Sequence, residues 1–488
     1  MKYFLAIDLG TTGCRSMVFD EKLQLCGSQY EEYGLIAPQA DWYEQDANLW
    51  WELSVRMMDA AMAQAGIDRK AVRAISISSQ GISIVPTDEN YNPLRLALSW
   101  MDVRAKEESQ QIIDAFGAQE VYTLTGKYPL PDYSLPKFLW IQKHEPEIWT
   151  KTVKMLMPLD FLTAKLTGNA YTDPSMASGT LMYDIHNGVW HTPTLEKFNI
   201  PESMLPQIRP CGSSAGKVLP EVADKLGLSH DCIVAVGAQD QRCAALGAGL
   251  EKGSVTVSLG TAAAICMLWD NCDTRGRTAV GWSPYVYENT FVTEGVVGTA
   301  GAALRWLRDT MYPAEGYDII NEEAATARQK NTQVIFLPYL SGSHYIRSGV
   351  KGTGTFHGLS LAASRGDFAN AVMEGVAFQV AEILSVMKPE KALAKLILFG
   401  GGAKSTVWPQ IFADATGLEI CIPQMAEAAG AGAAILAGVG SCDFNLNNLP
   451  EMPLAASFKP GKLYGQTQLR YGQYLKLCDT LSEGAQKA

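Results

Sequence analysis

The chain has 488 residues, 47% of them hydrophobic and 19% charged, an ordinary globular composition long enough for two folding units. Its formal net charge of −11 speaks against a nucleic-acid or anionic-membrane partner, because both demand a basic surface. Ten cysteines without CxxC pairs and six dispersed histidines exclude zinc-type spacing and point to reduced thiols.

The N-terminal apolar run is too short for a signal segment, and a buried strand explains it better. No stretch of about 20 uninterrupted apolar residues offers a membrane span, so a cytoplasmic location is expected. Tyr3 to Ile7 reads as a strand ending in Asp8-Leu9-Gly10-Thr11-Thr12-Gly13, and Cys14 to Asp20 reads as its hairpin partner. Trp50, Leu53 and Met57 carry helical spacing between Asp46 and Ala65. Ala74 to Ser78 is a strand before the turn Ser79-Gln80-Gly81. The strand Leu94 to Leu98 leads into Trp100-Met101-Asp102-Val103-Arg104, and residues 120–190 mix Pro-rich turns with short helices.

Ile233 to Val236 is a strand running into Gly237-Ala238-Gln239-Asp240-Gln241-Arg242, and Arg242 to Leu246 reads as helix. Val255 to Ser258 then ends in Leu259-Gly260-Thr261-Ala262, and Ala263 to Trp269 continues as a strand. The device at residues 8–12 is thus used again about 250 residues later, which predicts two duplicated α/β halves. Helices are predicted over Gly301 to Met311, from Ala369 through Val380, over Trp408 to Thr416 and over Ala429 to Val439. Lys395 to Phe399 is a strand ending in Gly400-Gly401-Gly402-Ala403. The polar tail after residue 445 is expected to pack as a terminal helix.

Several of these turns suit phosphoryl transfer, which needs donors around phosphates, a divalent cation and a base for the acceptor hydroxyl. Gly10 to Gly13 exposes amides and the hydroxyls of Thr11 and Thr12; Arg15 could neutralise phosphate charge, and Asp8 could hold Mg²⁺ through water. The same turn reads equally as an ordinary hairpin. Gly260 and Thr261 form the second half of a phosphate clamp. The glycines at 400–402 match neither a P-loop nor a dinucleotide fingerprint and suit close approach to adenine or ribose. Asp240 at a strand end is placed as a general base, or alternatively as a helix N-cap. Trp100 and Asp102 suit a sugar, whose apolar face the indole covers, or alternatively a loop ion pair. His344 and His357 read as loop or core residues.

Taken together, Asp8 to Thr12, Gln80-Gly81, Trp100-x-Asp102-x-Arg104, Leu166-Thr167-Gly168, Gly237-x-x-Asp240, Ser258 to Thr261, Phe336 to Gly342, Glu374 to Phe378 and Gly400 to Trp408 resemble the FGGY carbohydrate kinases, in order, to about residue 440. The resemblance implies an α/β fold of two actin-like ATPase (ribonuclease H-like) domains with a cleft between them. It implies a sugar-binding domain over 1–247, a nucleotide-binding domain over 248–445 and a tail over 446–488. It makes Asp240 the catalytic base. Thr11, Thr12, Arg15, Gly260, Thr261, Gly301, Arg305, Gly402, Ala403 and Thr406 fall on the ATP side. Gln80, Gly81, Ile82, Trp100, Asp102, Asp240 and Gln241 fall on the sugar side. ATP and Mg²⁺ are the implied cofactors, a small sugar the acceptor, and a homodimer the assembly.

The sequence departs from the family at two places. Gly81-Ile82 stands where the glycerol kinase branch has Arg-Glu and the xylulokinase branch Met-His, and Ser343-His344-Tyr345-Ile346 replaces Glu-Arg-Thr-Pro. The texture is most similar to the xylulokinase-like branch, with L-xylulose, ribulose, erythritol-type polyols and gluconate as rival acceptors. An ATP-driven switch and a non-catalytic sugar sensor are the readings from other classes.

Overall fold

The computed structural model describes residues 1–486 other than 279, 331, 343–352, 388, 390, 391, 426 and 451, with side chains through 481. The segment Ser343 to Ile346, His344 included, lies outside the described residues.

Phe4, Leu5, Ala6 and Ile7 leave no polar face, and a strand of that kind is stable only when covered on both sides. Accordingly, β1 (Tyr3–Leu9) lies inside a six-stranded sheet, with all four of these side chains fully buried. Its partners are β2 (Gly13–Asp20), β3 (Leu25–Glu32), β4 (Val72–Ser79), β5 (Ser214–Lys217) and β6 (Ile233–Gln239), in the order β5-β6-β4-β1-β2-β3. The pairs β1/β2 and β2/β3 are antiparallel, while β1/β4 and β4/β6 are parallel.

The second half repeats this wiring. Its sheet is β9-β10-β8-β7-β11-β12-β13, built from β7 (Ser254–Leu259), β8 (Ala263–Trp269), β9 (Gly281–Pro284), β10 (Phe291–Val297), β11 (Lys395–Phe399), β12 (Glu419–Pro423) and β13 (Leu454–Phe458). Again two antiparallel pairs, β7/β8 and β8/β10, precede two parallel ones, β7/β11 and β11/β12. The repeated Gly-Thr turns therefore occupy the same corner of two similarly wired sheets.

The principal helices are α1 (Ala47–Ala65), α2 (Ser134–His144), α3 (Asp240–Gly247), α4 (Gly301–Met311), α5 (Arg365–Met387), α6 (Trp408–Thr416), α7 (Ala428–Gly440) and α8 (Tyr464–Gln486). Helix α5 has the length and apolarity of a membrane span, but most of it is buried in the second-half core. The Ala/Gly composition of α7 has a packing cause. A Cβ on Gly432 would overlap the Cys243 carbonyl of α3, and one on Gly247 would overlap the Ala428 carbonyl of α7. These two helices touch backbone to backbone.

Two sequence expectations need adjusting. The strand before Trp100 is only Ala97–Leu98, because residues 93–96 are turn-like apart from one isolated bridge at Pro93. The tail is more than a helix: β13 closes the second sheet against β12, and Arg470 of α8 is buried against Glu374 of α5 at 2.6 Å.

Candidate active site

Asp8 ends β1, where register puts it opposite Arg15 on β2 and Ser78 on β4. The Ser78 hydroxyl donates to Asp8 Oδ1 at 2.8 Å. Burial lifts the Asp8 pKa to about 6 against that bond, and the nearby Glu427 charge adds to the rise. Asp240 opens α3, and its Oδ1 accepts the Gln241 amide at 2.7 Å and the Gln239 side-chain amide. Burial and then the Asp8 charge lift Asp240 to about 7. The helix cap itself is Gln239, whose Oε1 accepts the Gln241 amide at 3.1 Å. Asp240 is therefore not the N-cap, and its second carboxylate oxygen has no hydrogen-bond partner among the described residues.

Behind Asp240, Arg242 of α3 pairs with Glu294 of β10 at 2.7 Å, joining the two halves. Burial would raise Glu294, but Arg242 and Lys127 outweigh it and hold the carboxyl low. Lys127 in turn is lowered to about 8 by burial. Two further contacts join the halves: the Trp282 amide donates to the Gly126 carbonyl at 3.0 Å, and the Ser178 and Ser283 hydroxyls meet at 2.8 Å.

The Gly-Thr turns are open. Thr12, Gly260 and Thr261 are exposed, and Thr11 is half-buried with its hydroxyl accepting the Trp100 indole N–H at 2.8 Å. Gly301 and Gly402 serve these turns by close packing. A Cβ on Gly301 would overlap the Gly260 carbonyl, and one on Gly402 would lie 2.5 Å from Leu259 side-chain carbons. Within the run 400–402, the glycine with open space over it is Gly401. Ala403 is buried, whereas Arg305 and Thr406 are exposed on α4 and just before α6.

Arg15, expected to neutralise phosphate, is instead ion-paired with Glu427 at 2.5 Å and lies over the Tyr30 ring. An opposite charge at contact engages one end of the guanidinium before any ligand arrives. Asp102 also departs from its expected role. It is fully buried; Arg104 bonds both its oxygens, and the Tyr43 amide takes Oδ2 at 2.7 Å. Arg104 lies over the rings of Trp42 and Trp140, which pack edge to face, and also reaches Glu44 at 2.8 Å. The ion-pair reading of Asp102 thus prevails, and the carboxylate shapes the loop. Gln80 is likewise buried, donating to Gln45, whose own amide donates to the Thr11 carbonyl at 2.7 Å.

Gly81 and Gln241 are half-buried, and Trp100 is 40% exposed at the rim. Ile82 has φ of +52°, a left-handed conformation that costs a β-branched residue of order 1–3 kcal/mol. Strain of this kind persists where surrounding structure enforces it, and the Ser134 hydroxyl bonds the Ile82 carbonyl at 3.2 Å. His357 ends a short strand and is exposed, as its loop reading expects. Gln45, Lys127, Lys137 and Glu294 were not among the residues singled out from sequence, because each comes from an element distant in the chain.

Two similarly wired sheets, each presenting an open Gly-Thr turn, with carboxylates between them, suit a two-domain phosphotransferase. The N-terminal-domain model of the FGGY family of carbohydrate kinases matches residues 3–247, and its C-terminal-domain model matches 255–441. The chain belongs to the FGGY family of carbohydrate kinases and is an ATP-dependent sugar kinase. A xylulose kinase of Staphylococcus epidermidis is 31% identical over 442 residues, 89% of this chain and 87% of that protein. A gluconokinase of Bacillus licheniformis is 28% identical over 89% of this chain and 86% of its own length. A solved kinase structure from Brucella ovis superposes with a TM-score of 0.91 at 27% identity, covering 98% and 99% of the two chains.

Proposed function

We propose that the chain phosphorylates a small ketose of the xylulose type and that Asp240 is the base that activates its hydroxyl. The observation that carries this reading is Asp240 itself: a carboxylate with one oxygen unpartnered among the described residues, lifted to about 7 where neutral-pH proton transfer is most effective. The acceptor hydroxyl gives its proton to that oxygen as its own oxygen attacks the γ-phosphorus, and ADP leaves with the bridging oxygen's electron pair. Thr11, Thr12 and the Gly260–Thr261 turn offer hydroxyls and amides to the phosphates, while Trp100 and the Gln80–Ile82 turn border the sugar. The domain bounds 1–247 and 248–445 fit this division, with the tail completing the second domain.

Mg²⁺ fits the donor set. Asp8 and Asp240 are oxygen donors whose charges oppose each other, and a divalent cation relieves that opposition. No cluster of three or more His, Cys, Asp or Glu side chains forms a dedicated cage among the described residues, so Asp8 would share the ion with ATP phosphates. Bound there, it would neutralise charge on the transferring group. We place the reaction in the cytoplasm, where ATP is held and where ten free thiols stay reduced.

The test is a coupled ADP-release assay with ATP-Mg²⁺ across D-xylulose, L-xylulose, ribulose, erythritol, glycerol and gluconate. D-Xylulose is expected to raise ADP release well above the sugar-free rate. Asp240→Asn is expected to lower kcat by about 10²–10⁴-fold with ATP affinity retained. A gluconate or tetritol optimum would replace the acceptor, and an active Asp240→Asn would remove the base.

A further inference from the structure

One buried cation is not used by the chemistry above. Lys137 is fully buried in the first turn of α2, where a positive charge opposes the helix dipole. No described carboxylate lies within 4 Å of its ammonium, although Asp132 and Asp102 are near enough to favour its charge. It donates instead to two backbone carbonyls, Ser99 at 2.7 Å and Asp132 at 2.5 Å. A buried lysine without a paired carboxylate is expensive, and helix stability does not explain it.

The two carbonyls belong to two different segments of the first half. Ser99 precedes Trp100, whose amide donates to Ser83 Oγ at 2.9 Å and whose indole reaches Thr11. Asp132 precedes α2, and Ser134 on the first turn of that helix bonds the strained Ile82 carbonyl. Segments 99–102 and 130–134 therefore meet at this ammonium, and segment 80–83 is hydrogen-bonded to both.

We propose that Lys137 is a positioning residue for the sugar: its ammonium ties the Trp100 loop to the start of α2, so that sugar affinity depends on it and ATP affinity does not. This rests on the assignment of Trp100 to the sugar side. Lys137→Met keeps an unbranched side chain, one atom shorter, and removes the charge. Removing a buried ammonium relieves its desolvation cost, which offsets the donors lost at the two carbonyls. The Ser99 carbonyl keeps a second donor, the Asp102 amide at 3.0 Å.

The experiment measures KM for ATP and for the fastest sugar of the panel above, with thermal melts, in Lys137→Met, Lys137→Gln and Trp100→Ala. The expected result is a sugar KM raised at least tenfold in Lys137→Met, an intermediate rise in Lys137→Gln, an ATP KM within twofold and a melt close to the parent's. Equal changes in both KM values, an unmoved sugar KM, or failure of both Lys137 variants to fold would overturn the proposal. If Trp100→Ala raises the sugar KM and Lys137→Met does not, only the role of Lys137 falls. If Trp100→Ala leaves the sugar KM unmoved, the sugar-side assignment falls, and the role of Lys137 falls with it.

Discussion

At the scale of single residues, the site is governed by carboxylates that burial and mutual repulsion hold partly protonated near neutrality. Asp8 lies at about 6 and Asp240 at about 7. A base works only when ionised, so kcat/KM for the sugar is expected to fall as pH drops through about 7. Steady-state rates from pH 5.5 to 8.5 read that limb directly; a rate flat to pH 5.5 contradicts it. The same shift bears on stability with a definite sign. The folded-state pKa of Asp240 is above its ordinary 3.8, so folding favours the protonated form. Stability is unaffected by this group below about pH 4 and declines as pH rises through about 7. Asp240→Asn is therefore expected to melt higher than the parent at pH 8, with the gap closing toward pH 4 in thermal scans. Function here opposes stability, as it does at many active sites.

These residues were only partly legible in the sequence. Asp240 stands out because glycine and an apolar strand precede it, yet its second carboxylate neighbour, Glu294, comes from a strand more than 50 positions later. Asp102 and Arg15 looked available because a sequence does not reveal which charges meet. Arg104 lies two residues from Asp102, whereas Glu427 is over 400 residues from Arg15. Local spacing hinted at the first pair and gave no hint of the second.

At the scale of elements, hairpins and helices with strong periodicity followed their sequence closely. Predicted and observed spans coincide for Ala263–Trp269, Gly301–Met311, Lys395–Phe399 and Trp408–Thr416. The strand Leu454–Phe458 escaped notice because it is an edge strand with exposed residues, so it carries no buried pattern. The Ala/Gly run of α7 allows close packing, and the structure identifies its partner as α3, the helix that carries Asp240. Gly432→Ala forces a methyl into the Cys243 carbonyl, so it is expected to destabilise by about 1–3 kcal/mol or more. Urea unfolding measures this. Because α3 bears the base, activity should fall in the same variant before it unfolds, and an unchanged midpoint with full activity contradicts the packing account.

At the scale of the whole molecule, duplication is the feature that makes the function readable. Two sheets with the same strand order place Gly10–Gly13 and Leu259–Ala262 at equivalent corners, and one short repeated motif announced this in the sequence. The contacts that join the halves could not be read that way: Arg242 with Glu294, Arg15 with Glu427, and α3 against α7. They depend on how two separately patterned cores come together. The choice of sugar is less legible still, since Gly81 and the strained Ile82 depart from both the Arg-Glu and the Met-His patterns that the family resemblance offers.

The central claim is that the carboxylate of Asp240 activates a sugar hydroxyl toward ATP. The measurement that tests it most directly is mass spectrometry of the sugar after incubation with ATP-Mg²⁺, comparing the parent chain with Asp240→Asn. The account predicts a sugar monophosphate from the parent in step with ADP, and almost none from a folded, ATP-binding variant. ADP formed by the parent without any phosphorylated sugar, or equal product from both proteins, would contradict it.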